Sequence, residues 1–403
     1  MKAMTMMFAS LAAMLGSAAA AQFVPALPRV DEGLRPLADV AKSVADIADR
    51  SVATLAQARL DRIADLVRAN PDRIVRDPDG FAARAGEVIV TDPGAGLIAV
   101  VRANGMRMIE QGDTLGIAYM RFALPAGMSL KAGIAILRRS GAGTVSADQI
   151  YAQSGTVAAA APPEAGRGVR IGMIDGGVAG TGTTQRGFAA GAPRASEHGT
   201  AIASLIAGSG RIKGAAPGAQ ILAADVYGND PAGGNASAIG KAIAWLVEGR
   251  VPVVTISLIG PPNPLLARIV AAAQARGTII VAAVGNDGPA SPPSYPASYP
   301  GVIAVTAIDG RKRILIEAGR AAHLDYAAPG ADMIAASVKG TGVPVRGTSF
   351  AAPLVAASIA LVYPEPDAAR RAAALARVDA GAERRDRRYG RGIVCGQCAT
   401  PVK

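Results

Sequence analysis

Ser349 stands in Arg346-Gly-Thr-Ser-Phe-Ala-Ala-Pro353, ahead of an apolar run through Leu354, Val355, Ile359, Leu361 and Val362. This pattern predicts a tight turn opening directly into a buried helix, with the serine in its first turn. There, free N–H groups and the helix dipole favour developing negative charge. A Gly-Thr-Ser on its own reads as an N-cap. Three phrases precede this one, however: Ile171-Gly-Met-Ile-Asp-Gly-Gly177, Glu197-His-Gly-Thr200 and Val281-Ala-Ala-Val-Gly-Asn-Asp-Gly-Pro289. Acyl transfer at neutral pH needs a nucleophile, a base to take its proton, and donors for an oxyanion. Ser349 is the candidate nucleophile. His198 is the candidate base, because histidine titrates near neutral pH and the chain has only one other, His323. His323 lies in Ala322-His-Leu-Asp-Tyr-Ala-Ala-Pro-Gly330, an ordinary strand and turn, and reads as structural.

In the order Asp, His, Asn, Ser, the four phrases resemble the subtilisin family of serine peptidases. The resemblance covers residues 169–394 and implies a serine endopeptidase. Asp175 would fix the tautomer of His198 and stabilise its imidazolium. The side-chain amide of Asn286 would serve the oxyanion hole beside the backbone N–H of Ser349. Ser257, Leu258, Ile259 and Gly260 resemble the strand that pairs with an extended peptide, and Ala283, Val284 and Gly285 the opposite wall of the specificity pocket. Four departures stand out. Gly176 follows Asp175 where the family has Thr or Ser, and only 22 residues lie between Asp175 and His198. Ile259 replaces a glycine, and Arg346 a serine. A lipase-type hydrolase would want Gly-x-Ser-x-Gly and the order Ser, acid, His, neither of which is present. A catalytically silent subtilisin-like binding module is the alternative from a non-enzyme class.

Such residues need a scaffold that delivers them to one edge. Short apolar runs at 169–174, 221–226, 251–258, 278–283 and 302–307 read as strands. Segments 200–207, 236–247, 265–275 and 349–362 read as helices. Continuous apolar strands alternating with helices predict an α/β fold with a parallel sheet covered on both faces. Its site would lie beyond the carboxyl ends of the strands. Asp175 and Asn286 fall just past such ends, and Ser257 close to one.

Upstream, residues 37–69 carry apolar side chains at helical spacing between Pro36 and Pro71, either as an interaction helix or as packing within the N-terminal region. Residues 87–91 read as a strand, 95–111 as a helix, 119–124 as a strand and 130–138 as a helix. This small β-α-β-α-β unit, ending in Asp148-Gln-Ile-Tyr151, resembles the family's inhibitory pro-domain. The Ala-, Pro- and Gly-rich 154–168 reads as an exposed linker open to nicking. The expected organisation is a signal peptide (1–21), a helical pro-region (22–86), an α+β pro-domain (87–153), a linker (154–168), the peptidase domain (169–394) and a C-terminal tail (395–403).

The chain has 403 residues, half of them apolar, enough for a sizeable core. Lys2, the uncharged stretch from Ala3 to Ala21 and an Ala-x-Ala site describe a secretory signal peptide. No later segment reads as a membrane span. The protein is expected to be exported, to the periplasm or beyond, without stable membrane association. A net charge of +11 invites a nucleic-acid reading, but aromatics are only 4% and the arginines are scattered except between Arg370 and Arg391. Acidic residues interrupt that cluster, which reads as a solvated helical face. Expected partners are polypeptide substrates and the chain's own pro-domain. Cys395 and Cys398 read as a small local disulfide. No cofactor is expected and no metal cluster is visible, although a structural calcium ion is left open.

Overall fold

The computed structural model describes residues 37–157, 169–180, 182–208 and 210–402. The expected signal peptide and most of the expected linker fall outside them. Contacts divide the chain after Asp49, and everything from Arg50 onward forms one unit. Helix α1 runs from Leu37 to Ala69, between the two prolines.

An antiparallel α+β domain follows. It comprises β1 (Ile74–Arg76), β2 (Ala82–Thr91), α2 (Leu97–Ala103), β3 (Arg107–Thr114), β4 (Ile117–Ala123), α3 (Leu130–Arg139) and β5 (Thr144–Gln149). The sheet order is β1-β2-β4-β3, with β5 also paired to β2. Val88, Val90 and Phe122 from the sheet meet Leu97, Val101, Leu130, Ile134 and Leu137 from the helices. The segment 95–111 is not one helix. Asn104 caps α2, Gly105 turns at φ 65°, and a strand begins at Arg107. β3 and β4 are then joined across Leu115-Gly116, both at positive φ, as a two-residue hairpin requires. The order β-β-α-β-β-α-β therefore contains a strand, β3, that helical spacing had concealed.

Two short strands leave this domain, β6 (Ala152–Gln153) and β7 (Thr156–Val157). The second domain contains β8 (Arg170–Asp175), β9 (Thr184–Gly187), α4 (Glu197–Ala207), β10 (Gln220–Asp225), α5 (Ala236–Glu248), β11 (Val253–Ile256) and β12 (Leu258–Ile259). It continues through α6 (Pro264–Ala275), β13 (Ile279–Ala283), β14 (Ile303–Ile308), β15 (Tyr326–Pro329), β16 (Met333–Ala336) and β17 (Gly342–Arg346). It ends with α7 (Thr348–Ala360), α8 (Arg371–Gly381) and β18 (Thr400–Pro401). Seven strands in the order β15-β14-β13-β11-β8-β10-β9 form the parallel sheet.

Both faces of that sheet are covered, which is why its inner strands are apolar, whereas the edge strand β9 is polar and partly exposed. On one face Ile171, Val253 and Val281 pack with Ile202, Leu205, Leu354 and Val355 of α4 and α7. On the other, Ile174, Val254 and Ile280 pack with Ile239, Leu246, Leu266 and Ile269 of α5 and α6. The expected strand 251–258 is interrupted at Ser257. Its last residues leave the parallel sheet as β12 and pair antiparallel with β6.

The arginine-rich stretch differs from the expectation: it is helical only as far as Gly381, and Arg391 turns inward to bond Asp379 and lie 5.5 Å from the Tyr326 ring centroid. In the expected tail, β18 pairs with β16, and the expected disulfide joins Cys395 to Cys398.

Candidate active site

The carboxyl end of β8 delivers Asp175, which is fully buried. Its carboxylate accepts from Gly176 N (2.7 Å), from Gln153 Nε2 (2.8 Å) and from His198 Nδ1, which lies 2.9 Å from both oxygens. His198 is in the first turn of α4, a helix started by Ser196, whose Oγ accepts from Gly199 N at 2.9 Å. That cap explains the unusual glycine. A Cβ on residue 176 would lie 2.3 Å from Ser196 Oγ, so the cap and a side chain at 176 exclude each other.

The Ser349 side has a matching construction. β17 ends at Arg346; Gly347 follows at φ 141°, and α7 starts on the next residue without a side-chain cap from it. Asn286 supplies the cap from a distance: its Oδ1 accepts from Thr348 N at 2.9 Å. Thr348 Oγ1 in turn accepts from Gly285 N at 3.0 Å, fixing the Ala283–Gly285 wall to the helix. The Nδ2 of Asn286 is left buried with no hydrogen-bond partner among the described residues. A buried unpaired amide donor is costly unless something comes to accept from it. Ser349 Oγ donates to Ser257 O at 3.1 Å, and Ser257 Oγ donates to Ser349 O at 2.8 Å. This exchange accounts for the break in the strand at Ser257.

His198 and Ser349 meet on a residue that sequence reasoning placed in a linker. Ser154 Oγ lies 2.6 Å from Ser349 Oγ, and Ser154 O lies 3.4 Å from His198 Nε2. Just before it, Gln153 pairs with Leu258 and Ala152 with Ile259. Just after it, Thr156 pairs with Arg346 and Val157 with Val345. The expected exposed linker therefore begins inside the cleft, as an extended segment running between the two walls. No motif marks Gln153 or Ser154; the only signal was their position at the end of an extended run.

The remaining predicted residues fall as follows. Ile259 reaches across to the opposite wall, with Cδ1 3.0 Å from the point where a Cβ of Gly285 would be. Gly260 is itself a close approach, since a Cβ there would meet the Tyr151 ring at 2.5 Å. Burial, reinforced by the charges of Asp175 and Asp225, pushes the Tyr227 phenol well above its ordinary value, so it stays a neutral donor to Tyr151 O at 2.6 Å. Arg346 is committed to Glu317 at 2.7 Å. His323 is apart from these residues, bonded to Val302 O at 2.8 Å. Among the described residues no group of His, Cys, Asp and Glu could hold a metal ion, and no helix is long and apolar enough to cross a membrane.

The model of the Subtilase family matches residues 166–392. Subtilisin DY of Bacillus licheniformis is 32% identical over 212 residues, covering 49% of this chain and 77% of that protein. Subtilisin BL of Lederbergia lenta is 35% identical over 208 residues, with the same coverages of 49% and 77%. The fold is similar to that of fervidolysin from Fervidobacterium pennivorans, described as a keratinolytic enzyme related to subtilisin. The TM-score is 0.65 at 19% identity, covering 80% of this chain and 62% of that one. By the profile match across its parallel-sheet domain, this chain belongs to the subtilase family of serine endopeptidases.

Proposed function

We propose that the chain is an exported zymogen that hydrolyses polypeptides through Asp175, His198 and Ser349, with Asn286 as oxyanion donor. The observation that carries this reading is the convergence of His198 Nε2 and Ser349 Oγ on Ser154. Ser349 would turn from Ser257 O toward a carbonyl carbon and give its proton to His198 Nε2. Asp175 holds the other ring nitrogen and stabilises the imidazolium. The orphaned Asn286 Nδ2 and the first N–H groups of α7 would receive the negative oxygen. His198 would then protonate the leaving amine, and water would release the acyl group. The four groups suffice for this sequence of steps, and we assign no cofactor.

Within this reading the α+β domain is the chain's own inhibitor, and β6 occupies the cleft as a substrate strand. Ala152 and Gln153 lie opposite Ile259 and Leu258, which brings Ser154 level with Ser257, the residue bonded to Ser349. The bond presented for self-cleavage is Ser154–Gly155. Tethering makes this attack intramolecular, and effective concentrations of tethered groups are high. Residues 1–21 would direct export to the periplasm or the extracellular medium.

N-terminal sequencing tests the proposal. The wild-type protein should yield a mature chain starting at Gly155, while Ser349→Ala should accumulate a precursor starting near Gln22. Wild type should also be labelled by a fluorophosphonate and Ser349→Ala should not. Identical processing of both chains would assign the cut to another protease, and an unlabelled processed wild type would leave a silent binding module.

A further inference from the structure

The loop that follows the oxyanion candidate is covered by the last turns of α1. Arg62 bonds the Asp287 carboxylate, and Arg59 Nε lies 3.5 Å from its other oxygen. Leu55 closes on the next residue, with its Cβ 3.0 Å from the position a Cβ of Gly288 would take. The Arg59 guanidinium also lies 5.2 Å from the ring centroid of Phe81, just before β2. One turn further along, Ile63, Leu66 and Val67 pack on Ile74 and Ala82 of the α+β domain and on Ala232 of the peptidase domain. This part of the helix therefore straddles both domains. It forms one wall of a cavity of about 860 Å³, whose other walls include Ile259, Val284, Asn286 and Ser154.

The contact is more than a surface ion pair. The Asp287 side chain is only 14% exposed, whereas Arg62 is 60% exposed. Burial pushes the Asp287 carboxyl up, against the opposing pull of Arg62 and Arg59. A carboxylate enclosed in this way needs its guanidiniums. Leu55 and the Ile63–Val67 stripe add apolar contact on either side of the pair.

We propose that residues 53–69 are a second inhibitory element, latched to Asp287 by Arg59 and Arg62, which closes the specificity cavity independently of the strand that fills the catalytic centre. The surface it uses, Asp287–Gly288, fits a basic amphipathic helix, and its occupant is this segment of the same chain. After the Ser154–Gly155 bond is cut, the helix holds the severed N-terminal region on the enzyme. The retention test rests on the peptidase reading; the exchange test does not.

The exchange test uses the full-length chain carrying Ser349→Ala. Adding Arg59→Glu with Arg62→Glu should speed hydrogen exchange at residues 53–69 and 287–291 at least tenfold while leaving 82–91 protected. Unaltered exchange at 287–291 would overturn the latch. Should charge reversal prevent folding, Arg59→Gln with Arg62→Gln serves, with a smaller shift in the same direction. The retention test uses protein that has processed itself. The same reversal should make the N-terminal region leave about tenfold faster and reduce the acceleration that 0.5 M salt gives wild type. Equal release rates and equal salt responses would overturn the proposal. Failure of wild type to process or to take up a fluorophosphonate would sink the peptidase reading, while the exchange result would still decide the latch.

Discussion

Asn286 carries two duties on one amide. Its oxygen caps α7 through Thr348 N, and its nitrogen is a buried donor without a partner among the described residues. Asn286→Ala should therefore lower kcat by about two to three orders of magnitude and also destabilise α7 by roughly 1 kcal/mol. Kinetics and thermal unfolding measured on the same variant check both, and a defect confined to KM would make Asn286 a substrate-positioning residue. His198→Ala should abolish activity while His323→Ala, whose ring faces Val302 O and Asp325 away from these residues, should keep most of it. Ile259→Gly should widen the space over Gly285 and raise kcat/KM for bulky peptides about tenfold relative to small ones, as profiling with a peptide library would show. At this scale the sequence was legible wherever a residue type is required by its chemistry. Asp175, His198 and Ser349 each sit in a distinctive phrase. Gly176 was visible as a departure, but its cause, the Ser196 cap, exists only in three dimensions.

Elements were legible where one face or both faces are apolar over a whole span, and obscure where a turn interrupts the pattern. The covered strands and helices of the parallel sheet were found within a few residues of their ends. The strand β3 is hidden because Asn104 and Gly105, which stop α2, lie inside a span whose apolar spacing fits a helix. The short strands β6 and β7 have no periodicity to detect; the peptidase domain supplies their partners. Gly155, between them, is the residue that lets the chain pass Ser349. It holds φ 136°, and a Cβ there would lie 2.5 Å from the Phe350 ring. Gly155→Ala should consequently slow self-processing at least tenfold without unfolding the peptidase domain, measured as precursor remaining over time. Unchanged processing would mean that the segment takes another path through the cleft.

Across the whole molecule the two domains are joined by charge as well as by β6. Arg73 and Arg84 of the α+β domain bond Asp230 of the peptidase domain at 2.9 Å each, and Glu110 meets Lys241 at 2.5 Å. Burial alone would raise both carboxyls, but Arg84 and Arg73 hold Asp230 below its ordinary value, and Lys241, Tyr119 and Arg121 do the same for Glu110. Carboxyls depressed by their partners stabilise the union fully above the ordinary carboxylate range, and that share is lost as pH falls through their own lower values. Asp148 runs the other way, since burial pushes it up. Asp230→Asn should weaken retention of the severed N-terminal region at pH 7 by about 1.5 kcal/mol, roughly tenfold, and should flatten its loss in acid. Release rates measured from pH 3 to pH 8 check this. The sheet order β18-β16-β17-β7 places the residues after Ser154 on a different sheet from those before it. The two fragments that the proposed cut would make thus differ in molecularity. The piece ending at Ser154 would become a separate molecule, drawn away by dilution. The new N-terminus at Gly155 would stay attached to the catalytic body, next to β17, at a local concentration that no dilution can change. An incoming peptide would meet an acyl-side groove emptied by mass action and a leaving-group side still contested by the enzyme's own first residues.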